Sequence, residues 1–152
     1  MKSVLIRAAR SSDLPAIIAL IANDQLGRQR DDASLPLHPD YSAAFQAIEA
    51  DPNQWLVVAV IDDRIIGTLQ LSFIPGLARR GAWRGQIEAV RIAADCRNAG
   101  LGRQMMDWAI AECRSRGCAL VQLTTDKSRP DAHRFYERLG FKASHEGYKL
   151  AL

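Results

Sequence analysis

The string Arg97-Asn98-Ala99-Gly100-Leu101-Gly102 stands where a loop enters a helix, and its residue types suit an anion. Such a turn points free backbone N–H groups and the positive end of the helix dipole at a phosphate, and glycine lets the phosphate come close to the chain. No Lys-Ser or Lys-Thr follows, so it is not a Walker loop. Met105 fills the third glycine position of a dinucleotide G-x-G-x-x-G. Taken alone, a G-x-G also marks an ordinary helix start. Glu88 is a lone charge amid Ile87, Ala89 and Val90, where burial without a task is costly; a surface or salt-bridged glutamate is the alternative. His133 and Glu137 have the i, i+4 spacing of a metal pair, yet no third ligand accompanies them and no metal is expected. No Ser-His-Asp or Cys-His nucleophile is recognisable, and Cys96 reads as packed or exposed rather than as a covalent catalyst.

To position these residues the chain must supply strands and helices in a definite order. Val4 to Ala8 reads as a short strand, and Ser11, Ser12 and Asp13 open a helix whose face is Leu14, Ile17, Ile18 and Ile21. Residues 23–40, with Gly27, Pro36 and Pro39 among charges, break the pattern and form the candidate mobile substrate loop. A second helix follows, with Tyr41, Phe45 and Ile48 on one face. The apolar run Trp55 to Ile61 turns at Asp62 and Asp63 into the alternating stretch Ile65 to Phe73, an antiparallel hairpin. After the loop Pro75 to Arg84, a strand runs from Gly85 to Ile92. Its apolar residues step from Ile87 to Val90 and then to Ile92, a break in alternation that predicts a β-bulge.

Leu101, Met105, Trp108 and Ala109 mark an amphipathic helix ending near Gly117, followed by the apolar strand Cys118 to Leu123. A right-handed crossover makes that strand the parallel neighbour of the bulged one. Pro130 and Asp131 open a last helix with Ala132, Phe135, Tyr136 and Leu139 on its face and Gly140 as its stop. Phe141 onward and Tyr148 to Leu152 are expected to close the sheet as strands.

In this setting the glycine turn resembles the R/Q-x-x-G-x-G/A signature of the GNAT superfamily of acyl-CoA-dependent N-acyltransferases. Upstream, Ile92-Ala93-Ala94-Asp95-Cys96-Arg97 looks like that family's V-x-P-x-x-R, with Ala94 in place of the common proline. Downstream, Phe135-Tyr136-Glu137-Arg138-Leu139-Gly140-Phe141 is similar to its F/L-Y-E-x-x-G-F, and the order of elements matches over nearly the whole chain. The resemblance implies an α+β (α/β) GNAT fold: a mixed central sheet of six to seven strands flanked by about four helices. The strand bearing Ile92 would splay from the strand bearing Leu123, with acetyl-CoA in the gap.

It further implies that Val90 and Ile92 bind the pantetheine and thioester through main-chain groups, with the Val90 N–H as oxyanion donor. Arg97, Asn98, Ala99, Gly100, Leu101, Gly102 and Arg103 would wrap the pyrophosphate. Glu88 stands at the family's acidic position, to bind the substrate ammonium or take its proton. Tyr136 matches the family's general acid, against the alternative that it only packs. From a phenol of pKa ~10 to a thiol of ~8.5 the proton moves uphill by about 2 kcal/mol. Where many members carry an asparagine that touches the cofactor, this chain has Arg129, which would bind a phosphate or point to solvent.

The implied reaction is direct attack of a primary amine on acetyl-CoA, the cosubstrate, in a ternary complex without metal. A noncatalytic acyl-CoA-responsive regulator on the same fold would keep Arg97, Gly100 and Gly102 but would need neither Glu88 nor Tyr136. With a net charge of +3 spread among acidic residues and no helix-turn-helix, DNA binding is disfavoured. Asp31, Asp32 and Glu88 would suit a cationic acceptor, Arg79, Arg80 and Arg84 a carboxylate-bearing one; both sets also read as solvated surface. A length of 152 residues fits one domain, 1–152, with no second domain or repeat. Three cysteines without a C-x-x-C pair read as reduced thiols, and the lack of a spanning or signal segment makes cytoplasm the expected location. The expected partner is a small-molecule or peptide amine, with no membrane and a homodimer left open.

Overall fold

The β-branched and alternating runs become five strands, hydrogen-bonded in the order β1-β2-β3-β4-β5. In a computed structural model, which describes residues 3–152, these are β1 (Leu5–Ala8), β2 (Gln54–Ile61), β3 (Arg64–Ile74), β4 (Arg84–Ile92) and β5 (Leu120–Leu123). The helices are α1 (Leu14–Ala22), α2 (Gly27–Arg30), α3 (Pro39–Ala50), α4 (Ala78–Gly81), α5 (Leu101–Ser115) and α6 (Pro130–Arg138). Within α4, Arg79 and Arg80 have φ of 56° and 61°, so this segment is a left-handed turn rather than a helical one. The chain divides into two compact units, Met1–Gln122 and Leu123–Leu152.

Strands β1 to β4 pair antiparallel. Ile61 faces Arg64 across the turn at Asp62 and Asp63, whose φ values of 48° and 62° match the twist of a two-residue hairpin. Strand β5 runs parallel to β4: the Ala119 N–H donates to the Trp83 carbonyl at 2.8 Å, and Gln122 meets Gln86, so the two sequences advance together. The sheet is therefore mixed, as expected, but among the described residues it has five strands rather than six or seven. The shortfall lies at the carboxyl end. Among the described residues, 141–152 hold no strand, because the chain there finds no ladder partner and leaves Tyr148, Leu150 and Leu152 exposed.

Alternation sends Val57, Ala59, Leu69, Leu71, Phe73 and Ile87 to one face, where they are buried with Met105, Met106, Ala109 and Cys113 of α5. Two glycines bring α5 close. A Cβ at Gly67 would lie 2.6 Å from Met105 Sδ, and one at Gly85 would lie 2.3 Å from Cys113 Sγ. Val58 and Ile66, buried on the other face, are covered by α3 and α1. The start of α1 is held by Asp13, which accepts from Arg7 at 2.7 and 3.1 Å and from the Arg10 N–H at 2.8 Å.

Candidate active site

The break in alternation after Ile87 is a β-bulge. Gln70 pairs with Glu88 and Thr68 with Arg91, so Ala89 and Val90 together oppose Leu69 and have no register partner on β3. Ala89 has φ of 52°, a left-handed value that a residue with a Cβ adopts at some cost. Dropping out of the ladder leaves the N–H groups of these two residues without a partner on β3, while the Val90 carbonyl accepts from the Arg91 guanidinium at 2.9 Å. Behind the bulge, Arg91 Nε pairs with Asp24 at 3.0 Å, both side chains mostly buried, and Asp24 also accepts from the Gly27 N–H. The loop after α1 is thereby tied to β4. Its far end is tied as well, since the Tyr41 hydroxyl donates to Asp31 at 2.9 Å and accepts from the Asp32 N–H.

Strand β4 leads into the turn that opens α5. Asn98 has φ of 62° and Gly100, the N-cap, 79°. No side chain caps the helix, which leaves its first N–H groups for a ligand. The space around a Cβ at Gly100 is open, so glycine serves here for its left-handed backbone. Arg97 is exposed, and its Nε donates to the Ile92 carbonyl at 3.3 Å, folding the turn back on the strand end. Arg103 is exposed and pairs with Asp107 at 3.5 Å. Backbone donors at a helix start between two arginines fit a pyrophosphate.

On the face of β4 away from α5 lies a polar row. Gln122 Nε2 donates to Gln86 Oε1 at 2.9 Å, and Gln86 in turn donates to Glu88. Gln54 Oε1 accepts from Gln70 at 3.0 Å and from Ser72 at 2.8 Å. Glu88 is exposed: alternation turns its carboxylate away from Ile87 and toward the glutamines. The amides were missed in the sequence, although Gln86 and Glu88, and Gln70 and Ser72, carry the period-two signal of one strand face.

A model of the "Acetyltransferase (GNAT) family" matches residues 18–141, which include the bulge and the glycine turn. The chain belongs to the GNAT family. It is an acetyl-CoA-dependent N-acetyltransferase. An aminoalkylphosphonate N-acetyltransferase of Salmonella typhimurium is 31% identical over 150 residues, 97% of this chain and 90% of that one. A glucosamine 6-phosphate N-acetyltransferase of Trypanosoma brucei brucei is 38% identical over 90 residues, 59% of this chain and 58% of that one. A solved structure described as a transcriptional regulator from Bacillus halodurans C-125 superposes with a TM-score of 0.96 at 48% identity, covering 99% of this chain and 100% of that one.

The second GNAT motif lies in the carboxyl-terminal unit. Tyr136 is half-buried, its ring edge-on to Phe135 and Phe141 at centroid distances of 5.2 and 5.9 Å. Gly140, with φ of 97°, turns the chain so that the Phe141 N–H reaches the Tyr136 carbonyl. Arg129 is the N-cap residue of α6 at the end of a turn in which Asp126 accepts from the Ser128 N–H and hydroxyl. His133 bonds the Asp126 carbonyl instead of pairing with Glu137, and no metal-type cluster occurs among the described residues.

A concavity of about 960 Å³ in this GNAT protein lies away from Glu88, along α1 and residues 63–65 and 93–95. Of its charged groups, Asp13, Arg64 and Asp95 are already paired. The Arg64 guanidinium holds the Asp95 carboxyl at about 2. Burial pushes the Cys113 thiol up to about 11, so it stays protonated at neutral pH.

Proposed function

We propose that the protein acetylates a small primary amine by direct attack within a ternary complex, without metal, in the cytoplasm, and that residues 1–152 act as one catalytic domain. The single observation that carries the reading is the bulge at Ala89 and Val90 near the end of β4, the strand whose following turn leads into the open N-terminus of α5. The family match runs across both compact units, which supports one domain.

Acetyl-CoA supplies an activated thioester. Arg97, Asn98, Ala99, Gly100, Leu101, Gly102 and Arg103 bind its pyrophosphate, Arg129 a further phosphate, and Val90 and Ile92 its pantetheine through main-chain groups. The Val90 N–H donates to the thioester oxygen as negative charge develops there. Glu88 holds the acceptor ammonium or takes its proton, with Gln86 fixing one carboxylate oxygen. As the new N–C bond forms and the C–S bond breaks, Tyr136 hydrogen-bonds or protonates the departing thiolate.

The acceptors named for two relatives, an aminoalkylphosphonate and glucosamine 6-phosphate, join an amine to an anionic phosphorus group. They support an acceptor of that kind here. The Bacillus halodurans protein is described as a transcriptional regulator, which raises a second reading in which this acyl-CoA-binding fold also serves regulation. Release of free thiol from acetyl-CoA across a panel of amines, amino acids, polyamines, aminoglycosides and peptides separates the two. Amine-dependent release establishes the enzyme; acetyl-CoA binding with no release from any acceptor favours the regulator.

A further inference from the structure

The polar row on β4 is saturated in its middle and open at its ends. Gln86 both accepts, from Gln122, and donates, to Glu88, while Gln54 takes bonds from Gln70 and Ser72. These amides satisfy one another. At one end Glu88 is exposed, with only Oε1 engaged. At the other end stands Arg84, opposite Ile74 and on the same face as Gln86 and Glu88 by strand alternation. Its Nε is buried and has no hydrogen-bond partner among the described residues, and no carboxylate pairs with it there. The other two arginines of this region, Arg79 and Arg80, are exposed on the left-handed turn.

A guanidinium N–H taken out of water without an acceptor is destabilising, and an oxyanion is the group that offsets this, because it accepts two parallel N–H bonds from the fork. Arg84 and Glu88 are four residues apart in regular register, so their Cα atoms are ~13 Å apart at ~3.3 Å per residue. Both side chains are long enough to shorten that gap to a few bonds. We infer that Arg84 is the anion subsite of the acceptor pocket, so that the acceptor is bipolar, its amine at Glu88 and an oxyanion, phosphonate, phosphate or carboxylate, at Arg84. This inference rests on the proposed acetyl transfer and adds to it the residue that selects the substrate.

The test compares 2-aminoethylphosphonate, β-alanine and uncharged propylamine as acceptors for the wild type, Arg84→Gln and Arg84→Lys. Thermal melts confirm that each variant is folded. Calorimetric titration of 2-aminoethylphosphonate onto the CoA-bound protein gives a readout that needs no turnover. The wild type should prefer the anionic acceptors to propylamine, and Arg84→Gln should lower that ratio of kcat/KM by about 30-fold or more, mainly through acceptor KM. Arg84→Lys should restore part of it. The two anionic probes show whether a phosphonate or a carboxylate is taken. Equal use of charged and uncharged amines by the wild type, or an unchanged ratio in folded Arg84→Gln, overturns the subsite. Arg84-dependent binding of the phosphonate without thiol release upholds the subsite and overturns acetyl transfer; absence of that binding together with absence of turnover overturns the subsite.

Discussion

On one face of β4, Gly85 and Ile87 lie against α5 with no room for another atom; on the other, Gln86 and Glu88 meet each other and water. The same strand therefore obeys two rules. Toward α5 the constraint is volume, since a Cβ at Gly85 would sit 2.3 Å from the buried Cys113 sulfur. Away from it the constraint is polar satisfaction, met by a chain of amides that leaves charge at the two ends. Packing on the first face fixes the backbone from which the second presents its groups. Changes on the first face should thus appear in stability, and changes on the second in kinetics.

The largest expected effect belongs to the polar face. Glu88→Gln should lower kcat/KM for an alkylamine by about 100-fold or more at neutral pH, with the melting temperature unchanged because the side chain is exposed. A lysine-like amine has a pKa of ~10.4, so the loss should shrink as rising pH deprotonates the free amine if Glu88 removes the proton. A loss confined to acceptor KM at every pH would assign it to anchoring instead. Wild-type kinetics at all pH values would remove Glu88 from the site.

On the packed face, Gly85→Ala should destabilise by about 1–3 kcal/mol in denaturant unfolding, the usual range for overpacking. Cys113→Ala removes the sulfur that a Cβ at position 85 would meet, so the double variant should recover part of that loss. Strict additivity of the two would show that the contact does not govern the close approach of α5.

Two ion pairs sharpen the contrast between covered and open surroundings. Arg7 and Asp13 are largely covered, and Asp13→Asn should lower stability by about 2 kcal/mol. Arg7 holds the Asp13 carboxyl below its ordinary 3.8. Its contribution is therefore complete above pH 3.8 and fades as pH falls through the lower folded value, so wild type and Asp13→Asn should converge in acid. Arg64 and Asp95, both more than half exposed, should give the smallest change: Arg64→Gln alters the melt least, and added salt removes the difference. Asp95, held at about 2, follows the same sign, with its contribution lost as pH drops from 3.8 through about 2. An Arg64→Gln effect equal to that of Asp13→Asn would show that burial is not what separates the pairs.

Local rules in the sequence were enough for much of this. The step from Ile87 to Val90 located the bulge because strand side chains alternate strictly, so one extra residue must shift the pattern. Gly100 marked the entry to α5 because a left-handed N-cap disfavours a side chain, and paired aspartates at 62 and 63 marked the hairpin for a related reason. What the tertiary structure alone decided depends on neighbours distant in the chain. Alternation alone turns Glu88 away from Ile87, but only the register with Gln70 and the bond from Gln86 show which polar row it joins. Gln86 meets Gln122 because β5 returns in parallel, a contact across 36 positions that no local pattern encodes. Closing strands were expected from Phe141 onward and over Tyr148 to Leu152, yet a strand exists only when another edge supplies its hydrogen bonds. Periodicity records which way a side chain points; which groups it then meets is set by register and crossover, and these are properties of the assembled sheet.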